Sequence, residues 1–231
     1  MPLAPPLASL DALLPPVMSP TVDALLTLSL LEAVRTVDTP STPDGEYDAE
    51  FVAELRNKRL GLSDTVYSQI RRYTDAVKRN QRTAQDEAVA LARLIGRRAD
   101  AEAVFRAAGR YLAREAYGAI APFTRQLMRA LPSLLARPIA FRRARWVAER
   151  YFNGTLTRVG GFLMLEVPAS VTREAAPGMI GCTFYEAALR ELLRLLIGGT
   201  GAVDHVRCRG RGEDTCEWRA EWRSIDLTTA E

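Results

Sequence analysis

Cys182, His205, Cys208 and Cys216 are all the cysteines and the single histidine of this 231-residue chain. Scattered at random, four residues would crowd into so short a window on the order of once in a hundred times, so the count favours a shared site. Three thiolates and an imidazole make a closed tetrahedral ligand set for Zn²⁺. Thiolate is a soft ligand, which argues against magnesium or calcium. With no coordination position left open, the expected role is structural rather than catalytic. The spacing lacks the CxxC knuckle of a zinc finger. The residues by themselves also allow other readings. Cys182 fits a small buried residue at a tight turn, Cys208 and Cys216 fit free thiols or a cross-hairpin disulfide, and His205 fits an exposed strand residue.

Other chemistry is sparse. There is no second histidine for acid–base work. The chain lacks GxxxxGK[ST], and "GRGED" (210–214) lies in a hairpin rather than between a strand and a helix, so no nucleotide fingerprint is present. Glu213 and Asp214 read as solvated turn acids. Hydrophobic residues make up 48 % of the chain and charged residues 26 %, with a net charge of +3, as in an ordinary globular protein. Lysine occurs only at Lys58 and Lys78, so nearly all the positive charge is arginine. The densest basic stretch, "FRRARWVAERYF" (141–152), alternates charged and apolar residues at helical spacing. That predicts an amphipathic helix with a solvated face rather than a phosphate-binding one, and no nucleic-acid partner. No segment has the roughly 18 apolar residues of a membrane span. Residues 22–37 come nearest, but Asp23, Glu32 and Arg35 interrupt them. The N-terminus has no basic residue ahead of its apolar part, so no secretion signal is expected. An odd cysteine count suits a reducing, cytoplasmic setting.

The elements that must position the cluster follow from periodicity. Residues 1–21 are proline-rich and read as an extended arm, 22–37 as a helix, 38–48 as a linker, and 48–60 as a short amphipathic helix. Three helices follow at 62–80, 83–98 and 100–121, with Ser63 or Asp64 and then Asp100 as caps. Pro122 starts a further helical run, 123–136 and 139–152, divided by Pro138. From Asn153-Gly154 the texture changes. Strands at 155–159 and 162–167 flank Gly160-Gly161, which is a hairpin signal. Residues 183–199 form the clearest helix, with Thr183 and Glu186 as a capping box and Gly198-Gly199 as its end. A second hairpin, 202–210 with 216–222, turns around "RGED". Separate runs of helices and antiparallel strands predict an α+β fold, a helical N-terminal half packed on a small antiparallel sheet.

The stretch "GCTFYEAALRELLRLLIGG…VDHVRCRGRGEDTCEW" resembles the C-terminal half of the 4-vinyl-reductase domain family. That family is named after a bacteriochlorophyll-pathway protein and also occurs in the sensor region of phenol- and xylene-responsive bacterial activators. Its fold is related to subunits of the TRAPP vesicle-tethering complex. The family pattern has a Cys before a helix, a ligand residue three before a second Cys, and a third Cys eight further on, followed by an aromatic. Cys182, His205, Cys208, Cys216 and Trp218 stand at those positions. The aromatic sensors carry a carboxylate where His205 stands here, and imidazole is at least as good a zinc ligand. The resemblance covers 140–222 clearly and extends from about residue 100; it does not reach the first 95 residues.

The resemblance implies structural zinc on those four residues and a TRAPP-like, 4-vinyl-reductase-type fold. It also implies a small apolar or aromatic ligand among the helices above the sheet. Phe105, Tyr111, Tyr117, Phe123, Met128, Trp146, Tyr151 and Phe184 are the candidate lining residues, and core packing is the competing role for each. The expected organisation is an arm with helix and linker (1–47), a helical extension that could pair two chains (48–99), the zinc-binding domain (100–223) and a tail (224–231). The functional expectation is a non-catalytic ligand-binding or regulatory protein, expected as a homodimer, whose signal would leave through a protein partner or through the oligomer. The alternatives are an accessory, carrier or reductase in tetrapyrrole synthesis, and an oligomeric scaffold. Fold alone licenses none of these activities.

Overall fold

The computed structural model describes residues 20–39, 61, 63–175, 177–198 and 201–222. Residues 1–19 of the arm expected over 1–21, residues 40–48 of the expected linker, the amphipathic helix expected over 48–60 and the tail at 224–231 lie outside them.

Helix α1 (Ala24–Asp38) begins where Asp23 Oδ1 accepts the Leu25 N–H at 3.0 Å, a side-chain N-cap. Every residue from Ala24 to Val34 is buried. A helix apolar on nearly all sides has to sit inside others, and α1 does. It packs against α2 (Asp64–Lys78), α3 (Gln85–Ile95) and α4 (Ala101–Gly118). Its C-terminal end is tied down by Arg98, which donates to Asp38 at 2.6 and 3.0 Å and to Asp100 at 2.7 and 2.8 Å.

Two short strands, β1 (Thr21–Asp23) and β2 (Arg82–Ala84), pair antiparallel just ahead of α1 and α3. Periodicity assigns Val22-Asp23 and Thr83-Ala84 to the starts of helices and Thr21 to the extended arm. Each strand is three residues long, too short for alternation to register, and tertiary pairing decides it.

Helix α4 runs along α7 (Thr183–Ile197). Gly109 sits at their contact, and a Cβ there would fall 2.1 Å from the Phe184 carbonyl oxygen. Next come α5 (Pro122–Ala130), with Pro122 at its first turn, and α6 (Ser133–Val147). The break between them is at Leu131-Pro132, and Pro138 lies inside α6, contrary to the division expected there. Pro138 is the sixth residue of α6, past the first turn, so it removes one backbone bond and its ring crowds the Leu134 carbonyl. The chain leaves α6 through a π-helical turn (Ala148–Phe152) and reverses at Asn153, whose φ of 54° is left-handed.

The main sheet has the order β3-β4-β6-β5, all antiparallel: β3 (Thr155–Val159), β4 (Phe162–Val167), β6 (Cys216–Glu221) and β5 (Val203–Arg207). The two hairpins join through β4 and β6, where Leu163 faces Ala220 and Leu165 faces Trp218. Leu156, Leu163, Leu165, Val167, Trp218 and Ala220 form the buried face. Helix α7 lies on the sheet, α4 on α7, and α1 on α4. The fold is thus α+β, with the helical region packed on small open antiparallel sheets.

The capping box expected at α7 does not form. Cys182 occupies the N-cap, Thr183 Oγ1 donates back to the Ile180 carbonyl at 2.7 Å, and Glu186 pairs with Arg106 and Arg190. The turn of 3₁₀ helix just before α7 (Pro177–Cys182) already supplies carbonyl partners there. Similarly, Asp100 begins α4 without a side-chain cap bond, because its carboxylate is engaged by Arg98.

Candidate metal centre

Each of the four chemistry-bearing residues is placed by a different local device. Cys182 stands at the junction of the 3₁₀ turn and α7. The preceding residue, Gly181, has no room for a side chain: a Cβ would lie 1.8 Å from the Thr172 carbonyl oxygen. Thr172 returns a hydrogen bond from its hydroxyl to the Gly181 carbonyl at 2.6 Å. This lock fixes the entry of α7, and Cys182 with it.

His205 and Cys208 are three residues apart. On a regular strand that spacing would put them on opposite faces. A bulge between His205 and Arg207 resolves this: His205 pairs with Trp218, whereas Arg207 pairs with Glu217. The extra residue shifts the parity, so Cys208 rejoins the face of His205. Cys208 is fully buried while Arg207 beside it is exposed. Nothing in the sequence announces the bulge.

Cys208 then leads into a 3₁₀ turn (Arg209–Arg211). Its backbone N–H donates to the Glu213 carboxylate, and its carbonyl accepts from Arg211 N at 2.8 Å. Glu213, read from sequence as a solvated turn acid, is exposed as a residue yet clamps the backbone of a candidate ligand. Gly210 passes close to the sulfur, where a Cβ would come within 3.4 Å of Cys208 Sγ. Cys216 opens β6 opposite Val167 on β4.

The result is a single cluster. The ligand atoms of Cys182, His205, Cys208 and Cys216 all lie within 4.8 Å of one another, and Cys182 Sγ is 3.9 Å from Cys208 Sγ. Thiolates about 2.3 Å from a tetrahedral ion would be about 3.8 Å apart, so this S···S separation is that of a coordination edge and not of a disulfide. The three cysteines are unbridged and buried. His205 Nε2 is buried with no hydrogen-bond partner among the described residues, the state of a nitrogen that needs an electron-pair acceptor or a donor. The Cys216 thiol is pulled down to about 4 by its contact with Cys182, with His205 and the Arg209 backbone adding to the effect, and the same contact with Cys216 pushes the Cys182 thiol up. A buried group of thiols that favours a thiolate is chemically ready for a soft cation. The donor set therefore fits a metal ion.

Aromatic rings extend from the cluster into the core. His205 stacks on Trp218, Trp218 lies 5.2 Å from Tyr185, and Tyr185 meets Phe184 edge-on at 4.9 Å. Of the proposed ligand-lining residues, Phe105 and Phe184 are fully buried, Tyr117 and Tyr151 are buried, Tyr111 is half-buried, and Phe123 is exposed. Trp146 packs edge-on against Tyr151 at 5.6 Å and remains partly exposed. Burial, with Glu115 and Glu32 nearby, raises the Tyr111 hydroxyl to about 12.

Among the described residues a polar cavity of about 480 Å³ lies between α2, β2 and α3, lined by Arg72, Asp75, Arg79, Arg82 and Glu87, and two less polar ones open among the helices. One, about 470 Å³, lies between α5, α6 and the end of α7, lined by Met128, Leu131, Ala136, Leu196 and three arginines. The other, about 370 Å³, lies between α1, α2 and α3, lined by Thr27, Leu31, Tyr73, Glu87, Leu91 and Leu94. Met128 is the single member of the expected lining set found at either. The Thr27 hydroxyl is buried and has no hydrogen-bond partner among the described residues. No helix of the described residues is long and apolar enough to cross a membrane. Comparison with protein-family models, with curated proteins and with solved structures returns no match.

Proposed function

We propose that this chain is a zinc-stabilised, non-catalytic binding protein of the 4-vinyl-reductase type. The observation that carries the reading is the convergence of three thiols and one imidazole within 4.8 Å, supplied by a helix entry and two strands. Cys182, His205, Cys208 and Cys216 would fill a tetrahedral shell, which leaves no position for substrate or water. Bound there, the ion joins α7 to the β5–β6 hairpin, so its free energy of binding becomes free energy of folding. His205 is oriented by Trp218, and Cys208 by Glu213.

The helical layer takes a small, mainly apolar molecule that carries a hydrogen-bonding group. The α1–α2–α3 cavity supports this, because its leucines supply the apolar contact and the unpartnered Thr27 hydroxyl supplies a polar anchor.

Native mass spectrometry with elemental analysis of the same sample tests both parts. One zinc per chain, lost together with the fold on chelation, is the expected result. A metal-free folded chain with three titratable thiols overturns the zinc reading. Any further non-metal mass identifies the ligand class, and Thr27→Val should weaken its retention.

A further inference from the structure

Helix α6 leaves part of its apolar surface on the outside. Its buried stripe is Ala136, Ala140, Ala144 and Val147, spaced four, four and three residues apart. Its outer face bears Leu134 at 79 % exposure, Leu135 at 60 % and Trp146 at 38 %, together with Arg142 and Arg145. Helix α5, packed on α6, adds Phe123, 74 % exposed, while its Arg129 lines the cavity beside α6. A helix normally buries its largest apolar groups; this one packs Ile139 and Phe141 partly against the core yet leaves Leu134 and Leu135 exposed and Trp146 only partly covered. Clustered exposure of that kind marks an interaction surface.

The charge identifies the partner. Between Ala116 and Ala148 the chain has six arginines (125, 129, 137, 142, 143 and 145) and no Asp or Glu. Arg145 reaches Glu149 at 3.5 Å, whereas Arg129, Arg142 and Arg143 form no ion pair among the described residues. A second copy of the chain is a poor occupant, because pairing this face with itself sets arginine against arginine. Nucleic acid would use the arginines but has no site for the leucine pair. An anionic bilayer uses both: phosphates meet the arginines, Leu134, Leu135 and Phe123 enter the acyl boundary, and Trp146 sits at headgroup depth.

We propose that the outer face of α5 and α6 docks on an anionic lipid surface. This inference is independent of the metal centre.

The test uses the full chain as purified, with vesicles of phosphatidylcholine alone or containing phosphatidylglycerol. Sedimentation with the anionic vesicles, weakening with added salt, is expected. A blue shift in tryptophan emission should accompany binding and vanish in Trp146→Phe, because Trp218 and Trp222 are buried. Leu134→Ser with Leu135→Ser should lower partitioning at least about tenfold. Arg142→Ala and Arg145→Ala should each lower it about fivefold. Because these side chains are exposed, far-UV circular dichroism and metal content should not change. No binding, or equal binding to neutral and anionic vesicles, overturns the proposal. So does vesicle binding that is indifferent to the leucine pair, the behaviour of a general polyanion site. A dimer in solution that dissociates in the leucine variant would assign the face to a second copy and overturn it as well.

Discussion

The imidazole of His205 lies flat on the indole of Trp218, with ring centroids 4.8 Å apart and planes 12° apart. The two residues oppose each other in the β5–β6 register, so the sheet itself sets the stacking. The contact fixes the ring plane, and the imidazole contributes one ring nitrogen to the cluster. Zinc loading should therefore change Trp218 emission. His205→Ala should lose more zinc affinity than the roughly 10–100-fold that outer-shell changes cost, read by competition with a chromophoric chelator. His205→Asp should retain zinc, because a carboxylate oxygen can occupy the same position.

Cys208→Ala leaves an incomplete tetrahedron between α7 and the second hairpin. The expected product is insoluble or metal-free. A soluble, fully folded and thermally unchanged variant would count against a structural metal.

Glu213 lies in an exposed turn, where a substitution ordinarily changes stability little. Here its carboxylate holds the Cys208 N–H. Glu213→Ala should weaken zinc binding about 10–100-fold, with Glu213→Gln intermediate. The chelator competition assay reads both, and an affinity equal to that of the parent chain would show the clamp to be dispensable.

Glu191 on α7 is buried and bridges Arg114 of α4 at 2.7 Å and Arg194 at 2.8 Å. The hydrogen bond from Arg194, with Arg114 adding, holds its carboxyl down to about 2. The folded state therefore releases this proton more readily than the unfolded chain, whose carboxyl keeps the ordinary value of about 4.3. The stabilisation is complete above about pH 5 and is lost as pH falls toward the folded value. Urea midpoints measured down that range should fall more steeply for the parent chain than for Glu191→Gln. The difference between the two proteins separates Glu191 from protonation of the cluster.

Gly109→Ala places a methyl group against the Phe184 carbonyl, where α4 and α7 have no slack. It should destabilise the protein by about 1–3 kcal/mol or more, seen as a lower thermal midpoint. Because Phe184 follows two residues after Cys182, weaker zinc retention should accompany it.

Much of this protein was legible as a string. Composition alone put Cys182, His205, Cys208 and Cys216 in one window, because rare residues stand out against any background. Strong periodicity and glycine turns placed the hairpin around Gly160-Gly161 and the helix before Gly198, since both signals are local. What needed three dimensions was every relationship set by a distant partner. Pro138 sits inside a helix because the chain had already turned at Pro132. Thr183 gave up its cap because the preceding turn offered the Ile180 carbonyl. The bulge after His205 depends on the register of β6, and it alone puts His205 and Cys208 on the same face. The outward placement of Leu134 and Leu135 on α6 is likewise invisible to periodicity, which finds apolar residues but not which of them meet the core. Local sequence names the groups that can do chemistry; pairing register and packing decide whether they meet.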